Sequence, residues 1–242
     1  MNAFGLNCLK YSLGPLLWLQ GQQVRKRTLV LPEPAGQRVG QTGHGRLIRI
    51  LILGDSSAAG VGVSDQRAGL LGHILQALKT EHRINYELRA RTGARTRDTL
   101  NDLLYALDRD WPSDVKFDVV VTALGVNDVT AQLSLTQWRR QQDLLVKTIH
   151  QKLSPQHIIV SGLPPMHLFP ALPAPLRHYL GSWANLFNEA LEKVTAQHSA
   201  TTFLSVRDLA QPLDVAEDGF HPGPETYQRW SQAVARLIQQ RY

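Results

Sequence analysis

With 242 residues, 43% hydrophobic and 19% charged, the chain is long enough to bury a full core without demanding two domains. A formal charge of +6 admits anionic partners, but the basic residues are mostly scattered and carry none of the aromatic interleaving used by single-strand binders, which argues against nucleic acid. Cys8 is the only cysteine, so an intrachain disulfide and a cysteine-based metal site are excluded and the redox compartment stays open.

The first apolar stretch, Tyr11 to Gln20 (YSLGPLLWLQ), is about ten residues long, too short to span a bilayer as a helix. Its basic cluster, Arg25-Lys26-Arg27, follows it, only Lys10 precedes it, and no small-residue cleavage site comes after, unlike a secretory signal. Two readings stand: an N-terminal arm, frayed or packed on the domain, and a peripheral membrane contact through residues 11–27, with apolar side chains in lipid and the basic cluster against anionic headgroups. The location expected is cytoplasmic or peripherally membrane-associated, with the periplasm not excluded. Residues 31–46 (LPEPAGQRVGQTGHGR) are rich in Pro and Gly without apolar period, which marks a linker. The expected division is an arm and linker over 1–46 and one folded domain over 47–242.

From Leu47 on, five short apolar runs rich in β-branched residues read as strands: 47–53, 84–90, 117–124, 157–163 and 201–206. Stretches with helical spacing separate and follow them at 66–82, 96–108, 134–152, 177–198 and 223–240. This β-then-α alternation predicts an α/β domain, a parallel sheet with helices on both faces. In such sheets ligands sit beyond the carboxyl ends of the strands, so the segments just after each run carry the functional information.

After the first run comes Gly54-Asp55-Ser56-Ser57, where small neighbours leave the Ser56 hydroxyl accessible; a glycine-rich turn with a capping serine is the plainer reading. After the second comes Arg91-Thr92-Gly93, where glycine permits close backbone approach, or simply a turn. After the third comes Gly125-Val126-Asn127-Asp128, whose Asn127 amide is a neutral donor suited to an oxyanion or to its own turn. After the fifth comes Asp218-Gly219-Phe220-His221, which lets a carboxylate orient an imidazole whose other nitrogen faces a nucleophile. A serine hydroxyl is a poor nucleophile until such a base takes its proton, so Ser56, His221 and Asp218 together suggest a serine hydrolase. The remaining histidines are dispersed without H-x-x-x-H spacing, giving a metal cluster little support.

These four blocks, in this order, resemble the SGNH or GDSL-type hydrolase family over about 47–242. Two positions depart from its pattern: Ser57 replaces the Leu of the first block, and Arg91 replaces the Asn two residues before the glycine of the second. The resemblance implies a single three-layer α/β/α domain, flavodoxin-like, with a five-stranded, mainly parallel sheet. It implies Ser56 as nucleophile with His221 and Asp218, an oxyanion hole from the Ser56 and Gly93 N–H groups and the Asn127 amide, and no metal or organic cofactor. The implied activity is cleavage of carboxylic or thioesters through an acyl-enzyme, as in an esterase or lysophospholipase-like enzyme; a carbohydrate acetylesterase or an acyltransferase would use the same site. Two other classes could use the same residues or fold: a metal-dependent phosphoesterase using Asp55, Asp128, Asp218 and His221, and a non-catalytic binding module of the same fold. The proline-rich segment 164–175 after the fourth run places Met166, Leu168 and Phe169 where they would line an apolar substrate pocket or pack on the core. The partner expected is a small-molecule or lipid-like ester; oligomeric state is not legible.

Overall fold

A computed structural model describes residues 2–209 and 214–242. The five apolar runs form parallel strands β2 (Arg46–Gly54), β3 (His82–Ala90), β4 (Val119–Ala123), β5 (His157–Ser161) and β6 (Thr201–Leu204). Every residue of β4 and β5 is buried, as expected of strands covered on both sides.

Among the described residues the sheet has six strands, not the five expected. The additional strand, β1 (Val39–Thr42), lies inside the segment read as a linker and pairs antiparallel with β3, so the order is β1-β3-β2-β4-β5-β6. Its sequence, VGQT, has one large apolar residue and no buried position. What holds it is backbone pairing to β3, which leaves no period-2 signal to read.

Alternation along the strands feeds two cores. Leu51, Leu53, Val120, Ile158 and Val160 face one layer, formed by α4 (Thr96–Tyr105), α6 (Leu135–Leu153) and α7 (Leu176–Thr195). Ile48, Ile50, Ile52, Val119, Val121 and Ile159 face the other, formed by α3 (Leu70–Leu78) and α8 (Pro224–Gln239). The expected helix over 66–82 is shorter because Gly69 is extended (φ −91°, ψ −174°) and separates a 3-10 turn, Gln66–Ala68, from α3. Two single-turn helices, α2 (Ser56–Ala59) and α5 (Val126–Thr130), follow β2 and β4; neither is long enough to show a helical period.

The N-terminal arm is a helix, α1 (Ala3–Arg27), capped by Asn2, whose Oδ1 accepts from the Gly5 N–H at 2.9 Å. It is packed, not frayed: Leu6 and Leu17 are buried in the first core, with Leu9, Leu13 and Val24 partly covered beside them. Full burial of a leucine is worth about 1.5–3 kcal/mol, so this contact is a substantial share of an ordinary domain's stability. Gln20 adds a two-way bridge, donating to the Ala174 carbonyl at 2.8 Å and accepting from the Leu176 N–H at 3.1 Å. No helix among the described residues is long and apolar enough to cross a membrane.

Candidate functional site

The parallel strands deliver the sequence blocks to one edge. At the end of β2, Gly54 packs so tightly that a Cβ there would lie 2.4 Å from the Ala58 side chain and 2.6 Å from the Ala123 carbonyl oxygen. Only glycine lets the chain turn directly into α2. Asp55 caps that helix through Oδ1, which accepts from the Ser57 N–H at 3.0 Å, and Ser56 occupies the first helical position, largely buried.

His221 Nε2 stands 2.9 Å from Ser56 Oγ across 165 residues of sequence, and its Nδ1 hydrogen-bonds Asp218 Oδ2. Asp218 Oδ1 accepts from the Phe220 and His221 backbone N–H groups at 2.9 and 3.0 Å, so the carboxylate organises its own turn. Burial pushes the Asp218 carboxyl up, but hydrogen bonds from the His221 ring and from those two N–H groups outweigh it and hold the group below the ordinary carboxylate range. Asp218 is thus an anion aimed at the imidazole.

Gly93 is exposed, with φ of +80°, in the left-handed region that disfavours other residues, and nothing lies within 4 Å of where a Cβ would stand. The requirement there is conformational and leaves the approach open. Asn127, half-buried on α5, donates through Nδ2 to the Ala94 carbonyl at 3.0 Å and, at 3.4 Å, to Asp55 Oδ2. Its neighbour Asp128 accepts from the N–H and hydroxyl of Thr96 at 3.1 and 2.9 Å, with Gln142 donating to the same hydroxyl at 2.8 Å. This buried knot fixes the start of α4 against α5. Burial raises the carboxyls of both acids: Asp128 to about 6, against the Thr96 hydrogen bonds, and Asp55 to about 7, against the Ser57 N–H and reinforced by the charge of Asp128.

The Arg91 departure is accounted for at the surface, where its guanidinium Nε donates to Asp102 on α4 at 2.9 Å. Sequence reasoning missed Glu33. Its Oε1 accepts from the Thr92 N–H and hydroxyl at 2.6 and 2.8 Å, and its Oε2 pairs with Arg38 at 2.7 Å, while Arg38 also donates to the Ala90 carbonyl at 2.9 Å. The arm thereby buttresses the turn carrying Gly93. The signal was a carboxylate in a segment otherwise poor in charge, too slight to read without the fold.

Two adjoining pockets meet beside Ser56, at Ser57 and Val126. One is bounded by Ser56, Ser57, Val126, Asn127, Phe169 and Phe220 among others. The second shares Ser57, Val126 and Pro164 with it and continues along Leu124, Leu163 and Trp230. Of the three residues expected to line a substrate pocket, Phe169 borders the first of these pockets, with its ring 5.1 Å from that of Phe220. Met166 is fully buried in the core beneath the loop, and half-buried Leu168 lines neither pocket. Met166 sits in a 3-10 turn, Met166–Leu168, whose first side chain points inward against α7. Among the described residues, no group of three or more His, Cys, Asp or Glu is disposed to hold a metal ion.

The chain belongs to the GDSL-like Lipase/Acylhydrolase family, which it matches over residues 52–229, and is thereby a carboxylic ester hydrolase. Solved structures share its fold at low identity. LAE5, an alpha/beta hydrolase enzyme from the metagenome of Lake Arreo, Spain, is 16% identical with a TM-score of 0.61, over 81% of this chain and 97% of its own. Axe2, an acetylxylan esterase from Geobacillus stearothermophilus, is 16% identical with a TM-score of 0.58, over 81% of this chain and 96% of its own. TesA is 20% identical with a TM-score of 0.57, over 79% of this chain and 98% of its own. No curated protein matches the chain by sequence.

Proposed function

We propose that the protein hydrolyses esters of apolar acyl groups by a double displacement at Ser56. The observation that carries this reading is the 2.9 Å contact between His221 Nε2 and Ser56 Oγ, with Nδ1 of the same ring held by Asp218. Ser56 Oγ bonds to the ester carbonyl carbon as its proton passes to His221 Nε2, and the carbonyl π pair moves onto oxygen. The oxyanion is received by the Ser56 and Gly93 N–H groups and by Asn127. Its bond to Asp55 is long, at 3.4 Å, and a developing oxyanion displaces it. The tetrahedral species collapses, the bond to the alcohol oxygen breaks, and His221 returns the proton to that oxygen. Water then attacks the acyl-enzyme by the same steps, releasing the acid and Ser56.

Support for an apolar acyl group comes from the lining: Val126, Leu124, Leu163, Phe169, Phe220 and Trp230 offer little to hydrogen-bond a sugar. Acetyl-ester cleavage or acyl transfer to another alcohol would use the same residues. The test is an organophosphonate reagent with a panel of acyl esters from about two to sixteen carbons. The expected result is one label per chain at Ser56, loss of turnover in Ser56→Ala, and preference for chains longer than acetyl. Full activity of Ser56→Ala, or abolition by a chelator, would overturn the assignment.

A further inference from the structure

We infer that α1 docks the enzyme on an anionic lipid surface through an outward aromatic stripe, while Gln20 on its inner side ties the same helix to the loop beside the candidate catalytic centre. The inference deepens the acyl-ester reading by placing the substrate's source in a membrane.

The helix is apolar on two opposite faces. Leu6, Leu9, Leu13, Leu17 and Val24 recur at helical spacing and pack on the core, which accounts for one face. Phe4, Tyr11 and Trp18 stand seven residues apart and so fall on a single line along the other face. They are 77%, 86% and 63% exposed. A helix already anchored by its inner face gains nothing in folding from three outward aromatics. Tyrosine and tryptophan bring an apolar body and a polar tip, the combination that settles at the boundary between headgroups and hydrocarbon.

Charge selects the occupant. The helix carries Lys10, Arg25, Lys26 and Arg27 and no acidic residue, and all four cations are exposed. Arg25 continues the aromatic line by another seven residues, so the stripe ends in a cation. An anionic bilayer complements that pattern. The same helix of a second copy would bring no acidic residue to answer these cations.

The helix is joined to the loop beside the site by hydrogen bonds from its inner face. Gln20 grips both Ala174 and Leu176, and upstream in the same loop Ala171 N–H donates to the Gly219 carbonyl at 3.2 Å, between Asp218 and His221. That loop carries Phe169, which lines the pocket. A surface held by α1 is therefore held by an element bonded to the loop that bears Phe169.

The test uses the full chain as Ser56→Ala, so that binding is measured without turnover. It is sedimented with vesicles of phosphatidylcholine alone and of phosphatidylcholine with phosphatidylglycerol. The expected result is binding to the anionic vesicles, weakened about tenfold or more by Phe4→Ser/Tyr11→Ser/Trp18→Ser and by raised salt. Brominated lipid quenches tryptophan emission of the protein carrying Trp18, and quenches it less in Trp18→Phe; this second measurement holds if the triple variant fails to fold. With Ser56 restored, the triple variant keeps its rate on a water-soluble butyrate ester. Absence of vesicle binding, equal binding by the triple variant, or a concentration-dependent dimer that the triple variant abolishes would overturn the inference. Absence of vesicle binding with full ester hydrolysis would overturn the docking alone, and vesicle binding without hydrolysis the acyl-ester reading alone.

Discussion

Glu33 Oε1 holds both the backbone N–H and the hydroxyl of Thr92, at 2.6 and 2.8 Å, one residue before Gly93. A residue 59 positions upstream thus sets the aim of a proposed oxyanion donor. Losing one such donor outright costs about 2.7–4 kcal/mol in the transition state, and misaiming one costs part of that. Glu33→Ala is expected to lower kcat about tenfold with KM changed by less than about twofold, because the donor acts on the transition state. Glu33→Gln keeps an acceptor at Oε1 and restores most of the rate. A rise in KM at constant kcat would remove Glu33 from this positioning role.

Asp218→Asn tests the orienting carboxylate with little disturbance of the turn, since an amide oxygen still accepts from Phe220 and His221 N–H. The expected outcome is a kcat about 10³–10⁴ lower with a melting temperature near that of the parent. Steady-state kinetics and calorimetry on the same preparations decide it, and a rate within tenfold of the parent would show that the imidazole needs no anion.

Val126 borders both pockets, so Val126→Trp fills the passage between them. In the parent, kcat/KM is expected to climb about fourfold per methylene over short chains, the worth of burying one CH₂. In Val126→Trp the climb stops after two to four carbons while acetyl turnover stays within about threefold. A profile unchanged by the substitution would place the acyl chain elsewhere.

Asp55 sits buried with its carboxyl pushed up to about 7 from an ordinary 3.8, burial being the main cause. The folded chain therefore holds this proton more tightly than the unfolded chain. The associated stability is fully present below pH 3.8 and is lost as the pH rises toward about 7. Asp55→Asn removes the titration, so the difference in unfolding free energy, variant minus parent, should grow with pH across that window and level off above it. Urea titrations at pH 5, 6, 7 and 8 measure this, and a flat difference would mean that Asp55 is ionised throughout.

The five parallel strands and the four blocks that gather at the candidate site were legible because each rests on a local signal: an apolar run, or small and polar residues at a strand's exit. Ser56 and His221 could be paired from sequence because parallel topology sends every strand end to the same edge. β1 was not legible, since Val39–Thr42 is held by backbone pairing to β3 and not by its side chains. Glu33 was hidden for a related reason: its partner is distant in sequence, and a single carboxylate has no period. Met166 misled because a proline-rich loop gives no inside and outside; its side chain turned to the core while that of Phe169, also well buried, reaches the pocket wall.

β1 is short and antiparallel, and it covers the outer edge of β3, a strand of nine residues. Edges of that length template pairing with other chains unless something blocks them. The N-terminal segment is consequently a guard against self-association as well as an arm. Trimming the chain to Arg46 would expose four ladder positions of β3, from Ile84 to Glu87, and withdraw Glu33 in the same cut. Such a fragment should go into aggregates or swapped oligomers before its proposed catalytic residues can be judged.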